Sequence, residues 1–297
     1  MIDFKEVTAK ERDILESYLS GRAPRGCDYS FTNLVSWGHH EYALIHGMLI
    51  LRYLGGEGCY LFPVGDGDAA CALSEILKDA GERGRKCIIK SMTAEEAKLT
   101  EKLFGTVFTV KAYRDSFDYV YLTEALSELK GKHYHGKRGH YAKFFSEYPS
   151  CSVSRISKHS VKGIGEMLDI WYAERDRDSF TLEREAIARL LDNMDSLGAD
   201  GVCIKNGEEV IAFSLGSMSG ADTFDVHFEK ASSSVPTAYT AIAVELAKYV
   251  RANHPEAVYL NREDDMGIEG LRRAKESWYP HHMIEKYTAE AVFSAID

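Results

Sequence analysis

The sequence predicts an α+β protein, with α and β mixed in each half, built as two domains whose mixed central sheets are flanked by helices. Three observations predict this. A length of 297 residues suits about two domains. The spacing of apolar residues switches repeatedly between the two-residue period of a strand and the 3.6-residue period of a helix, in both halves. The dipeptide Asn206-Gly207 stands between two β-rich segments, the signature of a tight hairpin, so at least part of one sheet is antiparallel. The expected division is an N-terminal domain over 1–125, a basic helical linker over 126–149 and a C-terminal domain over 150–297.

In the C-terminal half, residues 151–156 alternate as a strand. Val161, Ile164, Met167, Leu168 and Trp171 then recur at helical spacing, and Leu182, Ile187, Leu190, Leu191 and Met194 mark a second helix. The segments GVCIK and EVIAFSLGSM form the hairpin, and 223–229 adds a strand. After SSSVP comes a helix with Tyr239, Ile242, Ala243, Leu246, Tyr249 and Val250 on one stripe, Pro236 suiting its first turn. A strand over 257–260, a helix from Gly267 and a strand over 283–287 finish the chain. In the N-terminal half, 4–7 reads as a strand and Ile14, Leu15, Tyr18 and Leu19 as a helix. Residues 42–45 and 48–53 form a hairpin across His46-Gly47. A strand over 60–63, a helix over 68–82, a strand at Ile88-Ile89, a helix over 94–104 and strands over 107–113 and 117–121 follow. The mix of hairpin, helix and strand recurs, which permits a degenerate duplication.

Composition bounds the function. Hydrophobic residues are 45% and charged residues 28%, those of an ordinary globular protein. The net charge of −10 excludes a general nucleic-acid binder, so a polyanion needs a local basic patch. The six cysteines are scattered without a CxxC pair, which points to reduced thiols and a cytoplasmic protein rather than a disulfide framework or zinc site. No apolar h-region opens the chain and no run is long enough for a membrane span, so any membrane contact is expected to be peripheral.

Two segments carry candidate chemistry. The first is YLNREDDMGIEGLRRAKESWYP at 259–280, where a short strand runs into Asn261, Arg262, Glu263, Asp264 and Asp265 before a helix opens. Strand ends and helix starts of this kind gather ligands, because backbone N–H groups and exposed side chains converge there. The same pattern also arises from an aspartate that merely caps the helix. The second is KGKHYHGKRGHYAK at 130–143, with five Lys/Arg, three His and no acid. Tyr134 and Tyr141 interleave its charges, as in a phosphate or RNA contact; a solvated helical linker has the same composition. Its histidine spacing matches no standard zinc signature, and no metal is expected.

The order of elements in the second half, β-α-α-β-β-β-α-β-α-β, resembles the acyltransferase fold of the GNAT superfamily. The segments GKHYHGKRGHYAKFFSEYP, FDVHFEKA and YLNREDDMGIEGLRRAKESWYP further resemble bacterial proteins related to the C-terminal domain of phosphatidylglycerol lysyltransferase. These are akin to the Fem peptidyltransferases, with two tandem GNAT-like domains. The resemblance implies transfer of an amino acid from aminoacyl-tRNA to an amine or hydroxyl acceptor, either a lipid headgroup or a small molecule. No stretch of these 297 residues resembles the membrane-spanning N-terminal part of the lysyltransferases, so a lipid acceptor is the less expected of the two.

An aminoacyl ester is already activated, so such an enzyme orients two substrates, accepts a proton and stabilises an oxyanion. Glu263 or Asp265 is then the candidate base, while Arg272 and Lys275 are candidates for the oxyanion or a phosphate. Asn261, Glu229, Lys230 and Tyr239 are candidate substrate contacts, and Lys137 and Arg138 candidate contacts to the tRNA backbone. A capped helix or a surface ion pair is the structural alternative for each. The loop before Tyr239, SSSVPTAYT, has no glycine, and Pro236 removes a donor, which argues against acetyl-CoA as cofactor. Two other functions remain to be separated by experiment: a CoA-dependent N-acyltransferase, and a non-catalytic binding or regulatory module.

Overall fold

The computed structural model describes residues 1–20, 26–175 and 180–292. In chain order the strands and helices of the first part are β1 (Lys5–Glu6), α1 (Arg12–Leu19), α2 (Phe31–Trp37), β2 (His40–Ile45), β3 (Met48–Tyr53), β4 (Cys59–Leu61), β5 (Val64–Gly65), α3 (Ala69–Glu82), β6 (Ile88–Met92), α4 (Ala94–Phe104) and β7 (Phe108–Ala112). There follow β8 (Asp118–Leu122), α5 (Thr123–Glu128), α6 (His135–Glu147), β9 (Cys151–Arg155), α7 (Lys158–Ala173), α8 (Thr181–Asp192), α9 (Met194–Leu197), β10 (Ala199–Asn206), β11 (Glu209–Met218) and β12 (Thr223–Ala231). The chain closes with α10 (Ala238–Asn253), β13 (Tyr259–Asn261), α11 (Glu269–Glu276), β14 (His282–Ile284) and β15 (Tyr287–Ala291).

These elements form two compact units. The first comprises Met1–Asp118, Asp264–Glu269 and Met283–Asp297; the second comprises Tyr119–Glu263 and Gly270–His282. The first unit's sheet runs β1-β2-β3-β4-β6-β15-β7, with β5 also on β3. It is mixed, because β4 and β6 are parallel while β2 and β3 are antiparallel. Its core joins Ile50, Tyr60, Phe62, Leu73, Ile76, Ile89 and Ala289. Local signals fix the helices: Asp68 accepts from the N–H groups of Ala70 and Cys71 to start α3, and Thr93 with Glu96 forms a capping box on α4.

The second unit's sheet runs β8-β13-β12-β11-β10-β9. Here β12 and β13 are parallel, and β9 to β12 are antiparallel neighbours. Helix α10 packs on β10, β11 and β12; its Ile242, Leu246 and Val250 are fully buried, as are Ile204, Phe213 and Phe224 of those strands. All six cysteines are free thiols.

Four local readings change. The hairpin between β10 and β11 forms, but Asn206 pairs with Glu209, so the two-residue loop is Gly207-Glu208 and Gly207 takes the positive φ of 62°. A β-bulge between Ile204 and Lys205 shifts the register by one residue and moves Asn206 into the ladder. The final strand is two strands, β14 and β15, separated at Glu285-Lys286, where the Lys286 side chain is drawn into a buried ion-pair cluster. The last helix starts at Glu269 rather than Gly267, because Gly267 has a positive φ of 72° and its N–H is held by Asp265. Helix α2 was not foreseen: six of its seven residues are buried, the polar Thr32, Asn33 and Ser36 among them, so its pattern does not sort into an apolar stripe and a wet face.

Candidate functional site

The strand β12 runs to Ala231, but its parallel pairing with β13 covers only Thr223, Phe224 and Asp225 against Tyr259, Leu260 and Asn261. Beyond that point two pairs of side chains join the two segments. His227 Nδ1 lies 3.1 Å from Glu263 Oε1, and Arg262 Nη2 donates to Glu229 Oε1 at 2.6 Å. Ser214 Oγ donates to the other Glu229 oxygen at 3.1 Å, so this carboxylate faces two donors.

His227 owes its place to a bulge. Leu215 pairs with Phe228 and Gly216 with Val226, which leaves His227 as the extra residue on β12. Bulges re-aim side chains in this way. Gly216 makes the close approach possible, since a Cβ there would lie 2.1 Å from the Asp225 carbonyl oxygen.

The backbone at Glu263 is held in the left-handed region, φ 58°. This costs energy for a non-glycine residue and persists only where the surroundings over-determine it. Asn261 Oδ1 accepts from the Glu263 N–H at 2.8 Å, and Tyr119 N–H donates to the Glu263 carbonyl at 3.1 Å. The Lys275 ammonium, from α11, donates to the carbonyls of both Arg262 and Glu263. Asn261 and Lys275 thus build the turn that presents Glu263.

The basic helix α6 brings one of its two candidate residues here. The Lys137 ammonium lies 4.2 Å from the Trp278 ring centroid and donates to Ser277 Oγ at 2.8 Å. The Arg262 guanidinium lies 5.5 Å from the same ring. Desolvation, and then the neighbouring Arg262 charge, push the Lys137 pKa down to about 8. One further nitrogen of this group, Arg262 Nη1, is buried with no hydrogen-bond partner among the described residues. Arg138 instead donates to the carbonyls of Leu129 and Gly131 and closes the end of α5.

The other candidates sit elsewhere. Asp265 is fully buried in the first unit, where Arg114 Nη1 donates to it at 3.2 Å and the Gly267 N–H at 2.9 Å. Arg272 is half-buried on α11. Lys230 pairs with Glu183 at 2.6 Å and lies 4.3 Å from the Trp171 centroid. Trp171 Nε1 donates to the Tyr239 hydroxyl at 3.2 Å, and Tyr239 is pushed up by desolvation. A cavity of about 390 Å³ opens beside Trp171, lined also by Gly163, Glu166, Met167, Ser232 and Ser233. Among the described residues no group of three or more His, Cys, Asp or Glu is placed to hold a metal ion, and no helix is long and apolar enough to cross a membrane.

Sequence reasoning missed as parts of the site His227, Trp278 and Ser217, whose Oγ lies 2.8 Å from His227 Nε2. His227 lies in a motif already singled out, FDVHFEKA, where an imidazole inside a strand otherwise bound for the core was the available signal. It also missed a cluster in the first unit, where the fully buried Lys286 ammonium meets Asp28 at 2.6 Å and Asp118 at 2.7 Å. Burial works against its charge, yet the two carboxylates hold its pKa well above the ordinary lysine value.

Comparison with known proteins places the chain in a family and a fold. The family described as Phosphatidylglycerol lysyltransferase, C-terminal, matches residues 21–290. A conserved protein of unknown function from Bacteroides thetaiotaomicron is 32% identical, with a TM-score of 0.90 over 98% of this chain and 100% of its own. The L-PGS of Bacillus licheniformis is 14% identical, with a TM-score of 0.68 over 96% of this chain and 92% of its own. A tandem GNAT protein from the clavulanic acid biosynthesis pathway is 8% identical, with a TM-score of 0.53 over 98% of both chains. None of the curated protein sequences matches. The fold is that of the tandem GNAT-like acyltransferases.

Proposed function

The chain belongs to the phosphatidylglycerol lysyltransferase C-terminal family, and on that premise we propose that it is an aminoacyltransferase. It moves an amino acid from aminoacyl-tRNA to an amine or hydroxyl acceptor, a lipid headgroup or a small molecule. The observation that carries this reading is Glu263, a carboxylate presented on a left-handed turn where β12 and β13 cease to pair.

In this reaction the acceptor nitrogen or oxygen attacks the ester carbonyl. The new bond to carbon forms, the bond to the ribose oxygen breaks, and that oxygen leaves as the free hydroxyl of the tRNA. Glu263 takes the proton that the acceptor loses and returns it to the departing ribose oxygen. Lys137 and Arg262 face the anionic part of a substrate, the phosphodiester of the tRNA end or of a headgroup. Arg262 is suited to this because Glu229 fixes one nitrogen while Nη1 retains a donor. Asn261 and Lys275 maintain the turn. Asp265, bound by Arg114 and the Gly267 N–H, belongs to the framework of the first unit in this scheme.

The test uses a mixed pool of radiolabelled aminoacyl-tRNAs with lipid and small-molecule acceptor extracts. Transfer of one amino acid is expected, and Glu263→Gln should lower it at least about a hundredfold, the low end for a general base. Acyl transfer from CoA thioesters instead would replace the donor. Ligand binding without turnover from either donor would reassign the site to recognition alone.

A further inference from the structure

We propose that His227 is the positioning residue for Glu263 and that Ser217 fixes its tautomer. The hydrogen-bonded order is Ser217 Oγ–H to His227 Nε2, and His227 Nδ1–H to the Glu263 carboxylate. This deepens the aminoacyltransferase reading and rests on it for the role of Glu263.

The distances are 2.8 Å from Ser217 Oγ to His227 Nε2 and 3.1 Å from His227 Nδ1 to Glu263 Oε1. The His227 side chain is fully buried, and that of Glu263 is 18% exposed. A neutral imidazole has one donor and one acceptor nitrogen, an ionised carboxylate only accepts, and a hydroxyl does either. One arrangement of a neutral ring satisfies both contacts while leaving Glu263 ionised: Nδ1 carries the proton and Nε2 receives the Ser217 hydroxyl. In that arrangement Glu263 is the acceptor of the Nδ1–H bond, the role an ionised carboxylate fills. The acceptor's proton then passes to Glu263 and on to the departing ribose oxygen, and the imidazole is not called on to carry it.

Two features separate this from incidental core packing. His227 is the inserted residue of the β11–β12 bulge, so the chain interrupts its ladder at the point that aims this ring. Glu263 is held from its other side by an independently built left-handed turn. Ser217 is not a nucleophile here. It is 2% exposed, and the imidazole stands between it and Glu263.

The primary experiment needs no substrate and reads the wild-type ring directly: nitrogen NMR of protein labelled with 15N-histidine at neutral pH. The His227 signals are identified by their absence from His227→Asn or, should that protein not fold, by their displacement in Ser217→Ala. Nδ1 is expected to be protonated and Nε2 bare, with Ser217→Ala and Glu263→Gln each moving population toward the Nε2–H form. A wild-type ring protonated at Nε2 alone overturns the assignment.

The kinetic arm compares His227→Asn, whose amide N–H can replace Nδ1–H, with His227→Phe, which has no donor. The Phe variant should lose about tenfold or more in kcat with the acceptor KM unchanged, and Asn should restore part of it. Wild-type kcat in His227→Phe overturns the positioning role. If no donor and acceptor pair supports transfer, the aminoacyltransferase reading falls, and the NMR result still decides the tautomer.

Discussion

Lys137 offers a prediction whose sign differs for binding and for stability. Its ammonium lies over Trp278, half-desolvated and close to Arg262, and its pKa is pushed from 10.5 down to about 8. The cation is therefore about nine-tenths populated at pH 7 and about one-tenth populated at pH 9. If an anionic ligand binds through this charge, affinity should fall about tenfold between those two pH values. The assay is fluorescence anisotropy of labelled tRNA at fixed ionic strength, because backbone contacts are strongly salt-dependent. Lys137→Met should bind weakly with no such decline. Lys137→Arg should keep affinity and also lose the decline, since guanidinium does not titrate in this range. Folding responds in the opposite direction. The folded-state pKa lies below the unfolded value, so between about pH 8 and 10.5 the unfolded chain binds more protons, and this group's contribution to stability rises with pH. Lost affinity in that window is then not unfolding at this site. Wild-type binding that is flat from pH 7 to 9, or the same decline in Lys137→Met, would refute the reasoning.

Two further perturbations test the framework. Lys286→Met strips the buried Asp118 and the partly exposed Asp28 of their cation and should cost about 3–5 kcal/mol in denaturant unfolding of the first unit, with part regained in K286M/D118N; a loss below about 1 kcal/mol would show that the carboxylates do not need it. Gly216→Ala drives a Cβ to 2.1 Å from the Asp225 carbonyl and should destabilise the second unit by about 3 kcal/mol or more, read as a lower midpoint of thermal unfolding; an unchanged midpoint would mean that the bulge relaxes freely.

The elements most legible in the sequence are those with one wet face or a distinctive turn. Helices α3, α7 and α10 show their stripes, and the β2–β3 hairpin forms across His46-Gly47, both residues at positive φ. Helix α2 escaped because it is buried nearly all round, and α5 because six residues are too few to establish a period. For the site, the polar run after β13 was visible as unusual. Which members of it share a location was not, since Glu263 and Asp265 are two residues apart yet fall in different compact units.

By itself the sequence determined what depends on local periodicity and composition: the α+β class, most helices, the hairpins and the polar junction at Asn261 to Asp265. It also carried the basic character of α6, because charge is written directly in residue identity. Tertiary structure alone decided which charges meet. It brought Lys137 to Arg262 across more than a hundred residues of chain, turned Arg138 toward the carbonyls of Leu129 and Gly131, and sent β15 into the first unit's sheet between β6 and β7. It also set His227 against Glu263 through a one-residue bulge. Hydrogen bonds and ion pairs act over a few ångströms, whereas sequence separation says nothing of distance until the strands have paired. A single inserted residue then suffices to choose which side chain faces the site.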